Sequence, residues 1–191
     1  KTFGLYLGKK NKPPSILLQY FPSSLEKSIK NLNDEERVCA IFEICSAMEA
    51  VHKANIIHLD LKPNNIMIDE DKHIHLSDFN LSLFDDNETE KIKGVGTLLF
   101  MSPEMINEED YNQKTDVYSF GIVLYYILTK GEMPKLYITD KAKGKLPQIP
   151  SEINKISTDL IKRCLSFEPQ DRPSFTEIIE YVKNNHFNLI Y

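Results

Sequence analysis

The pattern of apolar residues predicts helices in four stretches of this chain. In residues 38–51 apolar residues return every three or four positions, which predicts an amphipathic helix after Asn33. The stretches 153–164 and 175–182 have the same period and predict two further amphipathic helices. Residues 116–128 are apolar nearly all round, a pattern typical of a helix buried in the middle of a domain. The pattern therefore predicts a mainly helical fold.

Strand patterns are short and lie in the first half of the chain. Residues 3–7 and 16–21 are apolar and aromatic with a polar loop between them, and they predict two strands. Residues 66–68 and 73–76 lie on either side of a polar turn and predict a β-hairpin. The polar segment that ends at Pro150 predicts only one short helix.

The composition is that of one globular domain. The chain has 191 residues, of which 41% are hydrophobic and 27% charged, with a formal net charge of -5. It has no run of about eighteen apolar residues that could cross a membrane, and its first residues lack a secretory pattern, so we expect a cytoplasmic location. The acidic balance argues against nucleic acid as a partner. Cys39, Cys45 and Cys164 have neither disulfide nor zinc spacing and are expected to be buried thiols.

Four polar residues around the predicted hairpin favour the chemistry of phosphoryl transfer. The second strand of the hairpin returns beside the start of the first, so Asp78 is expected to lie close to Asn65. One carboxylate and one amide oxygen suit magnesium, which completes its shell with phosphate and water. Asp60 is placed to accept or orient a hydroxyl proton, and Lys62 to neutralise charge on a transferring phosphoryl group. Each residue alone is as well explained by a solvated turn, but the combination in this order favours a catalytic site.

These residues resemble the catalytic motifs of the protein kinase family. Residues 58–65, His-Leu-Asp-Leu-Lys-Pro-Asn-Asn, resemble the catalytic loop H-R-D-L-x-x-x-N, and residues 78–80, Asp-Phe-Asn, resemble the metal-binding turn D-F-G. Ser-Pro-Glu at 102–104 resembles the A-P-E triplet that closes the kinase activation segment. Asp-Arg-Pro-Ser-Phe at 171–175 resembles the family's closing signature. The resemblance covers essentially the whole chain and is greatest to the tyrosine-kinase-like group of serine/threonine kinases.

The resemblance implies transfer of the γ-phosphoryl group of magnesium ATP to a protein substrate with a serine or threonine acceptor. The proline after Lys62 is the feature that points to serine or threonine. In this reading Asp60 positions or deprotonates the acceptor hydroxyl, Lys62 stabilises the phosphoryl charge, and Asn65 and Asp78 hold magnesium. Thr97 falls where serine/threonine kinases place a threonine that contacts the catalytic aspartate and lysine. The alternative is that Thr97 is merely a loop residue.

The resemblance also implies a nucleotide site at the second predicted strand. Leu18 would be the gatekeeper beside the adenine, and the backbone of Gln19 and Phe21 would bind the adenine edge. Met67 is assigned to the same cofactor-binding set. An ordinary edge strand fits the local sequence equally well, and only the distance to His58 favours the hinge of a kinase.

Three structural contacts are implied as well. Asp116 is expected to accept hydrogen bonds from the backbone of the catalytic loop, and His58 to pack inward beneath Phe79. Glu104 and Arg172 are expected to form a partly buried ion pair.

The implied fold is mainly α. It is the C-terminal, large lobe of a protein kinase, a helical bundle with a small β-hairpin at the catalytic loop, plus the last two strands of the small lobe. Residues 1–22 would form the end of the small lobe and the hinge, and residues 23–191 the large lobe. The chain contains no glycine-rich loop, strand lysine or glutamate-bearing helix of the kind that grips the nucleotide. We therefore expect it to be part of a longer protein and to be a poor catalyst alone.

Two positions depart from the kinase motifs. Leu59 replaces the arginine that usually pairs with a phosphorylated activation loop, so activity is expected not to depend on phosphorylation of a site such as Thr89. Asn80 replaces the usual glycine, and asparagine tolerates left-handed backbone angles, so the turn is expected to survive. These departures leave open a pseudokinase, which would bind nucleotide or act as a signalling scaffold. The retained catalytic residues favour the enzyme.

Overall fold

The computed structural model describes residues 2–9, 12–86, 94–185 and 189, and within them the fold is mainly helical, as the sequence predicts. The helices are Leu25–Ser28 (α1), Asp34–Lys53 (α2), Pro103–Ile106 (α3), Lys114–Leu128 (α4), Ile138–Lys141 (α5), Lys155–Cys164 (α6) and Phe175–Asn185 (α7). The strands are Thr2–Tyr6 (β1), Ser15–Leu18 (β2), Ser23–Ser24 (β3), Ile56–Ile57 (β4), Ile66–Ile68 (β5), Ile74–Leu76 (β6) and Leu83–Phe84 (β7). None of the helices in these residues has the length and hydropathy of a membrane span.

Helix α2 begins where the sequence predicts. The Asn33 side chain accepts a hydrogen bond from the Glu36 backbone at 2.9 Å, and the Glu36 carboxylate accepts one from the Asn33 backbone at 2.8 Å. This capping box satisfies two backbone groups that a helix start leaves without partners. The apolar stripe of α2 faces the core, with Ile41 and Met48 fully buried. Cys39 lies off that stripe and is exposed, so the expectation of three buried thiols was wrong for this residue, while the other two cysteines are buried.

Helix α4 lies at the centre of the core. All its residues from Thr115 to Ile127 are buried, which confirms the prediction of a helix that is apolar nearly all round. Gly121 allows α6 to pack closely, because a Cβ atom there would lie 2.7 Å from Cδ2 of Leu165. Phe120 packs edge-on against Phe175 of α7, with 5.5 Å between ring centres. The helix is thereby held between α6 and α7, so its first turn is a rigid support for the loops beside it.

The predicted hairpin is present as β5 and β6. Ile66 pairs with Leu76 and Ile68 with Ile74 in an antiparallel register, and β3 pairs with the other edge of β5. A second, smaller pair joins β4 to β7. The hairpin and the β4–β7 pair therefore flank the stretch of chain between residues 57 and 66.

Strands β1 and β2 form an antiparallel ribbon, which confirms the first two predicted strands. Its apolar side chains are not covered: Phe3, Leu5, Ile16, Leu17 and Leu18 are each more than half exposed. Large exposed apolar patches usually mark a surface that binds something.

Candidate active site

The loop between β4 and β5 is fastened to the start of α4. The fully buried Asp116 carboxylate accepts hydrogen bonds from the backbone N–H groups of His58 at 2.8 Å and Leu59 at 2.9 Å. The Nε2 atom of His52 lies 3.0 Å from the same carboxylate. This is the contact that the sequence predicts for Asp116, and it fixes the loop one residue before Asp60.

Asp60 receives three hydrogen bonds on its carboxylate. Thr97 Oγ1 donates to Oδ1 at 2.8 Å, while Lys62 Nζ at 2.7 Å and Asn65 Nδ2 at 2.9 Å donate to Oδ2. Burial alone would raise the pKa of Asp60, but the bonds from Lys62 and Thr97 outweigh it and hold the pKa below its usual range. Lys62 also donates to Thr97 Oγ1 at 2.9 Å. The structure thus brings three of the predicted site residues, Lys62, Asn65 and Thr97, around the ionised carboxylate of the fourth, Asp60.

The hairpin brings Asp78 to the end of β5 where Asn65 lies. The Asn65 carbonyl accepts hydrogen bonds from both the backbone N–H and the hydroxyl of Ser77, each at 2.9 Å, so Asp78 follows directly after this pairing. In the described part of the chain, His, Cys, Asp and Glu side chains do not come together in any group of three or more that could hold a metal. One carboxylate and one amide oxygen remain as donors, and this small set fits magnesium, whose other ligands are phosphate and water.

Two residues at the site have left-handed backbone angles without being glycine. The φ angle is 66° at Leu59 and 64° at Asp78. Such strain persists only where the surroundings hold it, and it is concentrated at functional sites. Leu59 is held by the bond to Asp116 and by burial in an apolar cluster with Met101 and Met105. Asn80 lies in a turn, as predicted, but its φ angle is not positive, so the turn does not depend on the tolerance of asparagine for left-handed angles. Asp78 has the left-handed conformation instead.

His58 is a fully buried structural residue, as predicted. Its ring lies 4.6 Å from the Phe79 ring, and its Nδ1 atom accepts a hydrogen bond from the Asp60 backbone at 3.3 Å. Its buried Nε2 atom has no partner among the residues that the structure describes. The buried ring therefore holds the backbone of Asp60 in place and does not face a substrate.

Only some of the residues predicted to bind the nucleotide lie close to one another. The Phe21 ring stacks on His75 at 4.5 Å, and His75 pairs with Met67 across the hairpin, so these two predicted residues share one neighbour. Leu18 and Gln19 are exposed at and after the end of β2, and no described contact joins them to the catalytic loop.

A cavity of about 470 Å³ opens beside the Asp60 cluster. Lys62 and Thr97 line it together with Glu26 of α1 and Tyr126 of α4. The Glu26 carboxylate accepts a hydrogen bond from Asn64 at 2.6 Å. Neither Glu26 nor Tyr126 belongs to a sequence motif, so reasoning from the sequence missed both.

The predicted ion pair between Glu104 and Arg172 is confirmed. Two parallel hydrogen bonds join the guanidinium to the carboxylate at 2.6 and 2.8 Å, and both side chains are buried. Arg172 also donates to the carbonyl groups of Ser166 and Phe167, each at 2.8 Å. The pair ties the segment that follows Thr97 to the helices of the core.

A carboxylate held by lysine, threonine and amide donors, beside a small oxygen donor set for magnesium, is the arrangement of a phosphoryl-transfer enzyme. Residues 7–182 match the family model for the protein kinase domain. The chain therefore belongs to the protein kinase family.

Curated relatives agree with this assignment. One, named a probable serine/threonine-protein kinase, from Dictyostelium discoideum, is 36% identical over 87% of this chain and 13% of its own length. Two relatives are from Arabidopsis thaliana. The serine/threonine-protein kinase STY17 is 35% identical over 72% of this chain and 25% of its own length. The serine/threonine/tyrosine-protein kinase HT1 is 34% identical over 81% of this chain and 41% of its own length. The chain thus spans between 13% and 41% of the length of these relatives.

Proposed function

We propose that this chain is the catalytic part of a serine/threonine protein kinase that transfers the γ-phosphoryl group of magnesium ATP to a protein hydroxyl. The observation that supports this best is the set of three donors around the Asp60 carboxylate. Such a set holds the carboxylate ionised and oriented before the substrate arrives, and phosphoryl transfer depends mainly on such positioning and on electrostatic stabilisation of the transferring group.

Each residue of the cluster has a separate task in this proposal. Asp60 orients the serine or threonine hydroxyl and accepts its proton as the oxygen bonds to the γ-phosphorus. The bond from that phosphorus to the β–γ bridging oxygen breaks, and ADP leaves with the electron pair. Lys62 lies at 2.7 Å from Asp60 and is placed to stabilise the charge on the transferring group. Asn65 and Asp78 would hold magnesium, which neutralises phosphate charge when bound.

The nucleotide would lie between the hairpin and the segment 18–21. Phe21 and Met67, which share His75 as a neighbour, would face the adenine together with Leu18 and the backbone of Gln19. The exposed ribbon of β1 and β2 supports the further proposal that residues 1–22 belong to the small lobe and hinge, and 23–191 to the large lobe. Further strands of a longer protein would cover the ribbon. The chain alone is accordingly expected to transfer phosphate poorly.

A binding module without turnover is not favoured. Asp60, Lys62, Asn65 and Asp78 are all present, and a scaffold has no need for an ionised carboxylate with three donors. The likeness to serine/threonine kinases, and to the tyrosine-kinase-like group in particular, supports a serine or threonine acceptor.

Incubation of the full-length protein with labelled ATP, magnesium and a generic protein substrate tests the proposal. Phosphoamino-acid analysis of the product should give phosphoserine or phosphothreonine. Phosphotyrosine alone would refute the acceptor assignment. The absence of transfer to several substrates by a folded protein would refute the enzyme.

A further inference from the structure

Lys141, the last residue of α5, is a buried lysine in a segment that has no catalytic motif. Only 4% of its surface is exposed, and its Nζ atom donates a hydrogen bond to the backbone carbonyl of Leu99 at 2.8 Å. Lysine is almost never fully buried unless it is paired, because removing the ammonium group from water is costly. The position therefore calls for a specific explanation.

No carboxylate pairs with Lys141 among the described residues. The nearby Glu104 is occupied by the two hydrogen bonds from Arg172. The Nζ atom lies 5.0 Å from the centre of the Tyr118 ring, and the Arg172 guanidinium lies at the same distance from that ring. Asp140, which precedes Lys141 in α5, is paired with Lys145 at 2.8 Å. Among the described residues, the Leu99 carbonyl and the face of the Tyr118 ring are thus the groups that stabilise the ammonium charge.

The carbonyl that Lys141 holds belongs to the turn 97–101, which carries Thr97. The backbone N–H groups of Phe100 and Met101 donate to the Thr97 carbonyl at 2.8 and 3.2 Å and close the turn. The Thr97 hydroxyl in turn donates to Asp60. A chain of contacts therefore runs from Lys141 through one short turn to the carboxylate at the centre of the site.

The same turn exposes apolar surface at the mouth of the site. The Leu98 and Leu99 side chains are 52% and 51% exposed, directly after the threonine that contacts Asp60. Leu99 also lines the cavity that Lys62 and Thr97 line. A protein substrate whose hydroxyl reaches Asp60 through this cavity would contact Leu99, so the position of the turn would affect how well the substrate is held.

We propose that Lys141 is a positioning residue for the protein substrate, and that its ammonium group holds the turn 97–101 in the binding position more firmly at low pH than at high pH. The inference rests on the proposed kinase function and adds to it a residue that acts through Leu99. It concerns affinity for the protein substrate and leaves affinity for ATP unchanged.

The direction of the pH effect follows from the state of the amine. Burial lowers the pKa of Lys141 to about 7, and the Glu104 carboxylate opposes this shift. Below that value the charged group donates a charge-assisted hydrogen bond, which is roughly twice as strong as a neutral one. In this proposal the amine stays buried against the Tyr118 ring when the turn shifts, so only its bond to Leu99 changes. Above that pH the neutral amine holds the Leu99 carbonyl more weakly. The KM for the protein substrate should therefore rise as the pH passes through neutrality.

Three variants of the full-length protein test the proposal. Arginine in Lys141→Arg stays charged at every pH used, and Lys141→Met keeps an apolar stem of similar length without the charge. The matched control is Lys143→Met, which changes an exposed lysine two residues away. The KM values for ATP and for an acetylated substrate peptide without histidine are measured from pH 6 to 8.5, and calorimetry confirms folding.

The wild type and Lys143→Met should show a KM for the peptide that rises by up to about tenfold over this range, the change expected when a charge-assisted hydrogen bond becomes a neutral one of about half its strength. The KM should stay low throughout in Lys141→Arg and high throughout in Lys141→Met, with the KM for ATP within twofold in all proteins. A Lys141→Met profile that follows the wild type, or an equal change in both KM values, would overturn the proposal. If Lys141→Met does not fold, a wild-type pH profile in Lys141→Arg overturns it and a flat low KM supports it. Absence of transfer by the wild type at every pH would instead refute the proposed function, and this inference with it.

Discussion

The Asn80 side-chain amide donates a hydrogen bond to the Asp78 carboxylate, with 2.6 Å between Nδ2 and Oδ1. Both residues are exposed, so the bond orients a carboxylate that the core does not hold. A glycine, which kinase motifs usually have at this position, could not provide it. Outer hydrogen bonds of this kind orient a metal ligand and tune its affinity.

We predict that Asn80→Ala weakens the use of magnesium. Loss of an outer-shell partner typically costs 10- to 100-fold in metal affinity, and because this pair is exposed we expect about tenfold. The magnesium concentration for half-maximal activity should rise by that factor, and Mn²⁺ binding followed by electron paramagnetic resonance in the presence of ATP should weaken equally. Asn184→Ala, at an exposed asparagine of α7, is the control. Equal metal binding in Asn80→Ala and the wild type would show that the bond has no such role.

The pair of Glu104 and Arg172 should be costly to break. Glu104→Gln leaves the Arg172 charge buried without its partner, and breaking one side of a buried pair typically costs about 3 to 5 kcal/mol. Urea denaturation should show that loss in the free energy of unfolding of the domain. Glu180→Gln, at an exposed position, should change it by less than about 0.5 kcal/mol. An equal loss in the free energy of unfolding in Glu104→Gln and Glu180→Gln would contradict a special contribution of the ion pair to stability.

Lys141 should make the stability of the domain depend on pH above neutrality. Its pKa is about 7 in the folded protein against an ordinary value of 10.5. Below pH 7 both the folded and unfolded chains carry the proton, so the residue adds no pH dependence. Between the two values the unfolded chain binds a proton that the folded chain lacks, so stability rises with pH, by up to about 1.4 kcal/mol per pH unit.

Lys141→Met removes this group from both states. The free energy of unfolding of the wild type relative to Lys141→Met should therefore increase between pH 7 and 10, as measured by urea denaturation at each pH. A constant difference over that range would mean that Lys141 titrates near its ordinary value.

Leu59 supports the prediction that activity does not need phosphorylation of the loop after Asp78. Its side chain is buried with Met101 and Met105, so it offers no charge to a phosphate. Thr89 itself lies outside the described residues. Thr89→Ala and phosphatase treatment should each leave the rate of transfer within about twofold, since Leu59 offers a phosphate no charge where kinases usually have an arginine. A large gain in rate after phosphorylation of Thr89 would refute the prediction.

Much of the site could be predicted because its parts are close in sequence. Asp60, Lys62 and Asn65 share one loop, and the hairpin that brings Asp78 to them needs only a polar turn between two short apolar runs. The strand period of two and the turn composition are local signals. Helix α2 was predicted for the same reason, since its cap and its stripe lie within the helix.

The parts that were missed depend on contacts between distant segments. Lys141 meets Leu99 across 42 residues, and nothing in the polar segment before Pro150 shows that one lysine there is buried. Cys39 was misplaced because the buried stripe of α2 runs through its neighbours and turns it outward. The side-chain bond from Asn80 depends on the backbone angle of Asp78, which the residue types do not reveal.

The rate of phosphate transfer by Asp60→Asn in the full-length protein tests the central claim most directly. Asparagine keeps the shape and the donors from Thr97 and Lys62 within reach but cannot accept the hydroxyl proton, and loss of such a base typically costs about 10²- to 10⁴-fold. Asp71→Asn, at an exposed carboxylate on the hairpin turn, is the matched control. The account predicts a loss of at least about 100-fold in Asp60→Asn, with Asp71→Asn and the wild type equal. Equal transfer by all three proteins would contradict it.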